Sequence, residues 1–330
     1  MIRKLALVAV AAGWLAAPAA ANDSTASMGA GGLVLRRTDG IAMLSEDLYL
    51  SAREVRVAYR FLNHTDQDIE TIVAFPMPDI EPGYHGDMGG RLEDPAHLVP
   101  FITWVGDRAV RTEVEFKAVL NGVDVTDRLR AAGLPLGPHA QATWDAVHAL
   151  PEAVRRDLIA DGLLDAGQEP DVSSDVILPA WTLKTTHYWT QWFPAGEEVG
   201  ITHLYAPAIG GSAGTLVGEP EADFPEAMAD YRNDYCLDDA VIQAVTRRRA
   251  AGTYFFETWL DYILTTGANW SGPIRDFRLV VDKGSPDNLV SFCAEGVRRI
   301  GPTQFEVRHT DYVPARDLNV LILEGVPSPD

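Results

Sequence analysis

The chain has 330 residues and carries 27 Lys and Arg against 47 Asp and Glu, a formal net charge of −20. A surface this acidic repels nucleic acid and anionic lipid, and neither is expected as a partner. The chain is long enough for one large domain or two ordinary ones.

The first 21 residues, MIRKLALVAVAAGWLAAPAAA, have the plan of a secretory signal peptide. Arg3 and Lys4 form the basic start, Leu5 to Ala17 the apolar stretch, and Ala19-Ala20-Ala21 the small-residue cleavage site. The apolar stretch is short for about 30 Å of hydrocarbon, so cleavage after Ala21 is expected rather than a membrane anchor. No cysteine follows it, which argues against a lipoprotein. Without Arg3 and Lys4, 25 basic residues face 47 acidic ones, a net charge of −22. The expected product is a periplasmic protein beginning at Asn22, with no stable membrane insertion.

In chain order, GLVLRRTDGIAMLSEDLYLSA predicts two strands around a turn at Thr38-Asp39-Gly40, read as a hairpin. EVRVAYRFLN, 54–63, alternates: Val55, Val57, Tyr59 and Phe61 share one face of a half-buried strand. A polar turn, His64 to Gln67, leads into the apolar run TIVAFPMPDI. Residues 81–97 form a loop rich in Gly, Pro and acids. VRTEVEFKAVLNGVDV predicts a hairpin turning at Asn121-Gly122. Helical periodicity then takes over across 126–166, with Pro151 suited to a first helical turn. Strands resume at 176. Asp238 is placed to cap a helix over DAVIQAVTRRR, whose Arg247 to Arg249 sit at its negative end. The remainder is β again. The expected fold is mainly β: two antiparallel sandwich-like halves, with a small helical insertion and one further helix. The parts are 1–21, 22–125, 126–175 and 176–330.

The stretch WTLKTTHYWTQWFPAGEEVGITHLY, 181–205, holds three tryptophans, two histidines and two tyrosines. Phe193-Pro194-Ala195-Gly196-Glu197 reads as a hairpin turn. In that register His187 faces His203, Trp189 faces Ile201 and Gln191 faces Val199. Two facing histidines are metal ligands in need of a third. Trp181 and Trp189 share one face of the strand, Tyr188 and Trp192 the other. One of these faces is expected to be core. Trp181, Tyr188, Trp189, Trp192 and Trp270 are the candidates for a ligand surface for sugar rings, on whichever face is not core. Asp79, Glu81, His85 and Asp87 are a second candidate cluster, for a cation or for acid–base chemistry. Asp230, Asp234, Asp238 and Asp239 are explained by solubility and the helix cap. No sequence pattern of a nucleophile elbow, zinc protease helix or phosphate loop is present. No catalytic residue is assigned and no cofactor is expected.

Cys236 and Cys293 are the two cysteines. In an oxidising compartment an even pair reads as one disulfide, with a single connectivity.

The residues NDSTASMGAGGLVL, SEDLYLSAREVRVAYRFLN and IVAFPMPDI resemble the bacterial domain of unknown function 4424 family. So do Tyr188 to Gly196, YILTTGANWSGPIRDFRLVVDKGSPDNLVSFC and Asn319 to Leu323. The resemblance spans about residues 24–325. It implies an exported protein of Gram-negative bacteria and brings no catalytic residue with it. The leading expectation is a non-enzymatic periplasmic protein that binds an envelope protein or glycan. The alternatives are an envelope hydrolase working through loop 79–97, and a metal-binding protein.

Overall fold

The computed structural model describes residues 22–29, 32–82, 101–166 and 177–327. The N-terminal strands are β1 (Ser24–Gly29), β2 (Gly32–Arg36), β3 (Ile41–Ser51), β4 (Val55–Asn63) and β5 (Ile69–Pro76). Then follow β6 (Ile102–Val105), β7 (Arg108–Val110), β8 (Glu113–Leu120) and β9 (Val123–Asp124). Helices α1 (Thr126–Ala131), α2 (Gln141–Ala149) and α3 (Glu152–Ala160) lead to β10 (Leu164–Asp165) and β11 (Leu178–Pro179). The centre of the chain forms β12 (Thr182–Phe193), β13 (Glu198–Tyr205) and β14 (Ile209–Ser212), before α4 (Pro225–Asp234) and α5 (Asp239–Ala250). The last strands are β15 (Thr253–Tyr262), β16 (Ile274–Asp282), β17 (Leu289–Phe292), β18 (Arg298–Arg299), β19 (Gln304–Tyr312) and β20 (Leu318–Pro327).

The mainly β expectation holds. A six-stranded sheet runs β2-β1-β5-β12-β8-β9, an eight-stranded sheet runs β18-β19-β16-β3-β4-β13-β6-β7, and a four-stranded sheet runs β14-β15-β20-β17. The six-stranded sheet joins N-terminal strands to β12 from the centre of the chain, and the eight-stranded sheet mixes strands from the two ends of the chain. In the larger one, β16 lies parallel to β3, with Asp276 opposite Ser45. The main core joins all three: Val73, Phe75, Trp189 and Phe193 from the first, Val57, Tyr59, Phe61 and Ile201 from the second, Tyr262, Val320 and Ile322 from the third.

The alternation in β4 is seen as read, with Val55, Val57, Tyr59 and Phe61 buried between exposed or half-buried neighbours. Strand β20 reads as a continuous apolar run because it is buried on both faces. Val320 and Ile322 enter the main core, and Leu321 and Leu323 pack with α4 and α5. Helices α1–α3 cover a separate cluster around Trp181. Asp238 caps α5, its Oδ1 accepting from the Val241 amide at 2.8 Å.

Two expected hairpins are absent. Strand β2 does not pair with β3, nor β12 with β13; each chain reversal carries the strand from the six-stranded to the eight-stranded sheet. The polar turn 64–67 crosses the other way. The corners are tied to one another: Asn63 Nδ2 donates to the Phe193 carbonyl at 2.9 Å, and the Gly196 amide donates to the Asn63 carbonyl at 2.9 Å. The His64 amide reaches the Gly40 carbonyl at 3.1 Å. A Cβ on Gly40 would lie 2.9 Å from Ile69 Cδ1 and 3.2 Å from Thr65 Cγ2, so a side chain there would have to displace both. The Asn121-Gly122 turn, by contrast, closes a true hairpin with both residues at positive φ.

Candidate functional site

The most reactive-looking arrangement lies where the sheets meet. His203, on β13, has Nδ1 3.0 Å from Thr103 Oγ1 and Nε2 3.1 Å from Asp23 Oδ1. Carboxylate, imidazole and hydroxyl in that order are the parts of a nucleophile triad. All three residues are 0% exposed. Phe75, Phe101, Trp189 and Tyr59 place their rings 5.0, 5.0, 5.4 and 5.9 Å from the imidazole. A substrate cannot reach a hydroxyl enclosed in this way, so the network is structural.

The polar network continues inward. Tyr59 and Tyr262 share a hydrogen bond of 3.0 Å, and Trp270 Nε1 donates to the Asp23 carbonyl at 2.5 Å. Asn22 Nδ2 donates to Glu46 Oε2 at 3.0 Å. Burial pushes the Glu46 carboxyl up to about 8, and it raises Asp23 despite the neighbouring His203. Glu46 was legible in the sequence: it shares strand parity with Leu48 and Leu50, which are buried.

The aromatic candidates divide. Trp181, Trp189 and Trp270 are core residues rather than parts of a ligand face. Trp181 Nε1 is satisfied by the Leu136 carbonyl at 2.7 Å. Trp192 is 49% exposed, and half-buried Tyr188 donates its hydroxyl to Glu113 at 2.8 Å. These two share the outer face of β12.

His187 and His203 do not oppose one another across a hairpin. His187 pairs opposite Phe75 and Val114 in one sheet, His203 opposite Val57 and Thr103 in the other. The Phe101 ring stacks on both, at 4.1 Å and 5.0 Å. Burial holds the His187 imidazole down to about 4, with His203 adding to the effect. Among the described residues no three His, Cys, Asp or Glu side chains come together as a metal site. Asp79 is ion-paired with Lys184, and Glu81 accepts from Thr182 Oγ1 at 2.8 Å. His85 and Asp87 lie outside the described residues.

An open cavity of about 480 Å³ lies elsewhere, between β16, β19 and the start of β20. Its floor is apolar: Leu264, Phe277, Leu279, Val307 and Leu318 are buried. Phe277, His309 and Tyr312 line it as a stacked group, with Phe277–Tyr312 at 4.7 Å and His309–Tyr312 at 4.9 Å. Val313 at the rim is 60% exposed, and Glu295 and Arg316 supply charge of both signs. The Cys236–Cys293 disulfide forms one wall, closing a loop of 57 residues and joining the end of α4 to the end of β17. Sequence reading found the cysteines and missed the rest. The available signal was Val313-Pro314, an exposed apolar residue and a break directly after an aromatic strand end.

Loss of that bridge in a Cys236→Ser, Cys293→Ser chain is expected to lower stability by about 2–4 kcal/mol in urea unfolding, since the unfolded loop is released. A midpoint equal to the parent's would show that the bridge contributes nothing to stability.

Fold and cavity together define a β-rich, disulfide-linked scaffold whose triad-like group is sealed in the core. Residues 21–321 match the family described as Domain of unknown function (DUF4424). The chain belongs to that family. No curated protein matches. Among solved structures, it is similar to a putative nutrient binding protein from Legionella pneumophila subsp. pneumophila str. Philadelphia 1. Identity is 14%, the match covers 92% of this chain and 70% of that one, and the TM-score is 0.47.

Proposed function

We propose that this protein is exported to the periplasm and acts there as a non-enzymatic binding protein of the cell envelope. The cavity beside the disulfide is its binding site. The observation that carries the reading is the contrast between two places. The triad-like group is sealed in the core, whereas the open cavity offers apolar surface and a stacked aromatic wall. An apolar floor with a few charges at the rim suits the apolar or ring-bearing part of an amphipathic molecule. The signal-peptide pattern and the disulfide support the compartment. Burial of Trp189 weighs against the hydrolase alternative, which drew on that ring as part of its substrate face.

Native mass spectrometry of protein isolated gently from a Gram-negative periplasm tests this, with Ala315→Trp as the control. Ala315 is exposed at the rim, so a tryptophan there fills the opening without entering the core. The expected result is a bound mass, or enhanced fluorescence of added 1-anilinonaphthalene-8-sulfonate, reduced at least tenfold in affinity by Ala315→Trp. Binding that Ala315→Trp leaves unchanged would move the ligand to another surface. Absence of both signals would count against a small-molecule role.

A further inference from the structure

Asn22 and Asp23 are polar residues next to the expected cleavage site, and both are wholly buried. The seat around Asn22 is built for it. Its backbone nitrogen donates to Thr266 Oγ1 at 2.7 Å, and the same hydroxyl donates to the Asn22 carbonyl at 2.7 Å. Its side-chain amide reaches Glu46, and a Cβ on Gly267 would lie 2.9 Å from that amide nitrogen. Two buried carboxyl groups share this pocket. Asp23 Oδ2 and Asn22 Oδ1 have no hydrogen-bond partner, and Glu46, bonded to Asn22 through Oε2, has only the Tyr262 hydroxyl beside its other oxygen. The basic group bonded to either carboxyl is His203, on Asp23; among the described residues no Lys or Arg pairs with them.

Buried acceptors in this number are costly without donors or a positive charge. We infer that hydrolysis of the Ala21–Asn22 bond supplies both, by turning the Asn22 nitrogen into a buried α-ammonium that pairs with Glu46 and Asp23. Water adds its hydroxyl to the Ala21 carbonyl carbon and a proton to the Asn22 nitrogen, and a second proton from solvent completes the ammonium. As an amide, that nitrogen has one hydrogen, already given to Thr266. As an ammonium it has three, two of them not committed to Thr266. Processing then completes the core rather than merely releasing the chain. Thr266, on the 3₁₀ turn Thr265–Asn269, and Trp270 beyond it are locked to the new terminus through Asn22 and Asp23.

The cut rests on the export reading above; the seat does not. The full 330-residue chain, expressed in a Gram-negative host and recovered from the periplasm, is expected to show an intact mass beginning at Asn22. A periplasmic product cut elsewhere overturns the inference and leaves export standing. An uncut chain in the periplasm likewise overturns the inference alone, and a chain that stays in the cytoplasm overturns both.

Independently of export, two forms are released from a removable tag, one starting at Asn22 and one at Ala21. The form starting at Asn22 is expected to melt higher by about 5 °C or more, a shift that reads a few kcal/mol in a chain of this size. Glu46→Gln is expected to lower Tm in the Asn22 form, where it removes the ammonium's partner. In the Ala21 form it should leave Tm unchanged or raise it. There the raised carboxyl is obliged to stay protonated while the unfolded chain ionises, so its stability falls as pH rises from about 4.5 toward 8. The groups facing Glu46 across this pocket are Asp23, Tyr59, Tyr262 and Tyr312, with His203 beyond Asp23. Equal melting of the two forms, or the same response to Glu46→Gln in both, would overturn the inference.

Discussion

His203→Phe is expected to destabilise the protein by about 3–5 kcal/mol, although the ring volume is nearly kept, because breaking a buried pair strands its partner. The Asp23 carboxyl and the Thr103 hydroxyl each lose their partner on this ring, at 0% exposure, where water cannot replace it. Phenylalanine keeps the contacts with Phe75, Phe101, Trp189 and Tyr59, so the measured loss isolates the polar part. His203→Ala should lose more, since a cavity is added where four rings now converge. Thr103→Val, which removes one hydrogen bond of the pair, should cost about 1–3 kcal/mol. Urea unfolding followed by tryptophan fluorescence gives all three values. A His203→Phe chain within about 1 kcal/mol of the parent, below the cost of one unsatisfied buried group, would mean that Asp23 is satisfied by some other group.

The second large effect is at Trp270. Its ring packs 4.4 Å from Phe61 and 6.2 Å from Phe193, and its Nε1 holds the Asp23 carbonyl. Trp270→Ala should cost about 3–5 kcal/mol, the range for truncating a buried aromatic. Trp270→Phe should cost about 1–3 kcal/mol, mostly for the stranded carbonyl. Near-ultraviolet circular dichroism alongside denaturant unfolding separates this from a ligand-facing role. A surface tryptophan would lower ligand affinity on substitution and leave the unfolding midpoint unmoved.

Both substitutions act on residues that sequence reading had named for other reasons. The sequence offers His203 as a candidate metal ligand lacking a third partner and Trp270 as a candidate for either core or ligand surface, and both are central to the core. The residue types were recognisable; their surroundings were not. His203 does lie on the core parity of β13 with Val199, Ile201 and Tyr205, and that much was visible in the alternation. Its partner Asp23 is 180 positions away, and the Asp23 carbonyl bonded to Trp270 is 247 positions away. No local pattern records a partner at that separation.

The three short corners make the same point. Thr38 to Gly40, His64 to Gln67 and Pro194 to Gly196 each carry turn residues, because the backbone reverses there. A reversal within one sheet and a crossing between two use similar residues. The difference lies in which edge is free to accept the strand, and the neighbours already in place decide that. Asn121-Gly122 was readable because its two positive φ angles match the twist of paired strands without outside help.

By itself, then, the sequence determined the strand-rich class, the alternation of β4, the cap of α5 and the single disulfide pairing. Each depends on a local period, a local hydrogen bond or a count of two. Only the tertiary structure decided that β12 and β13 part company, that three tryptophans are core, and that Asn22 and Asp23 lie beneath the sheets. It also decided that residues from 236 to 318 enclose a cavity. Those outcomes follow from burial against distant segments, where the free energy of removing a ring or a carboxyl from water is set by whatever the rest of the chain brings to meet it.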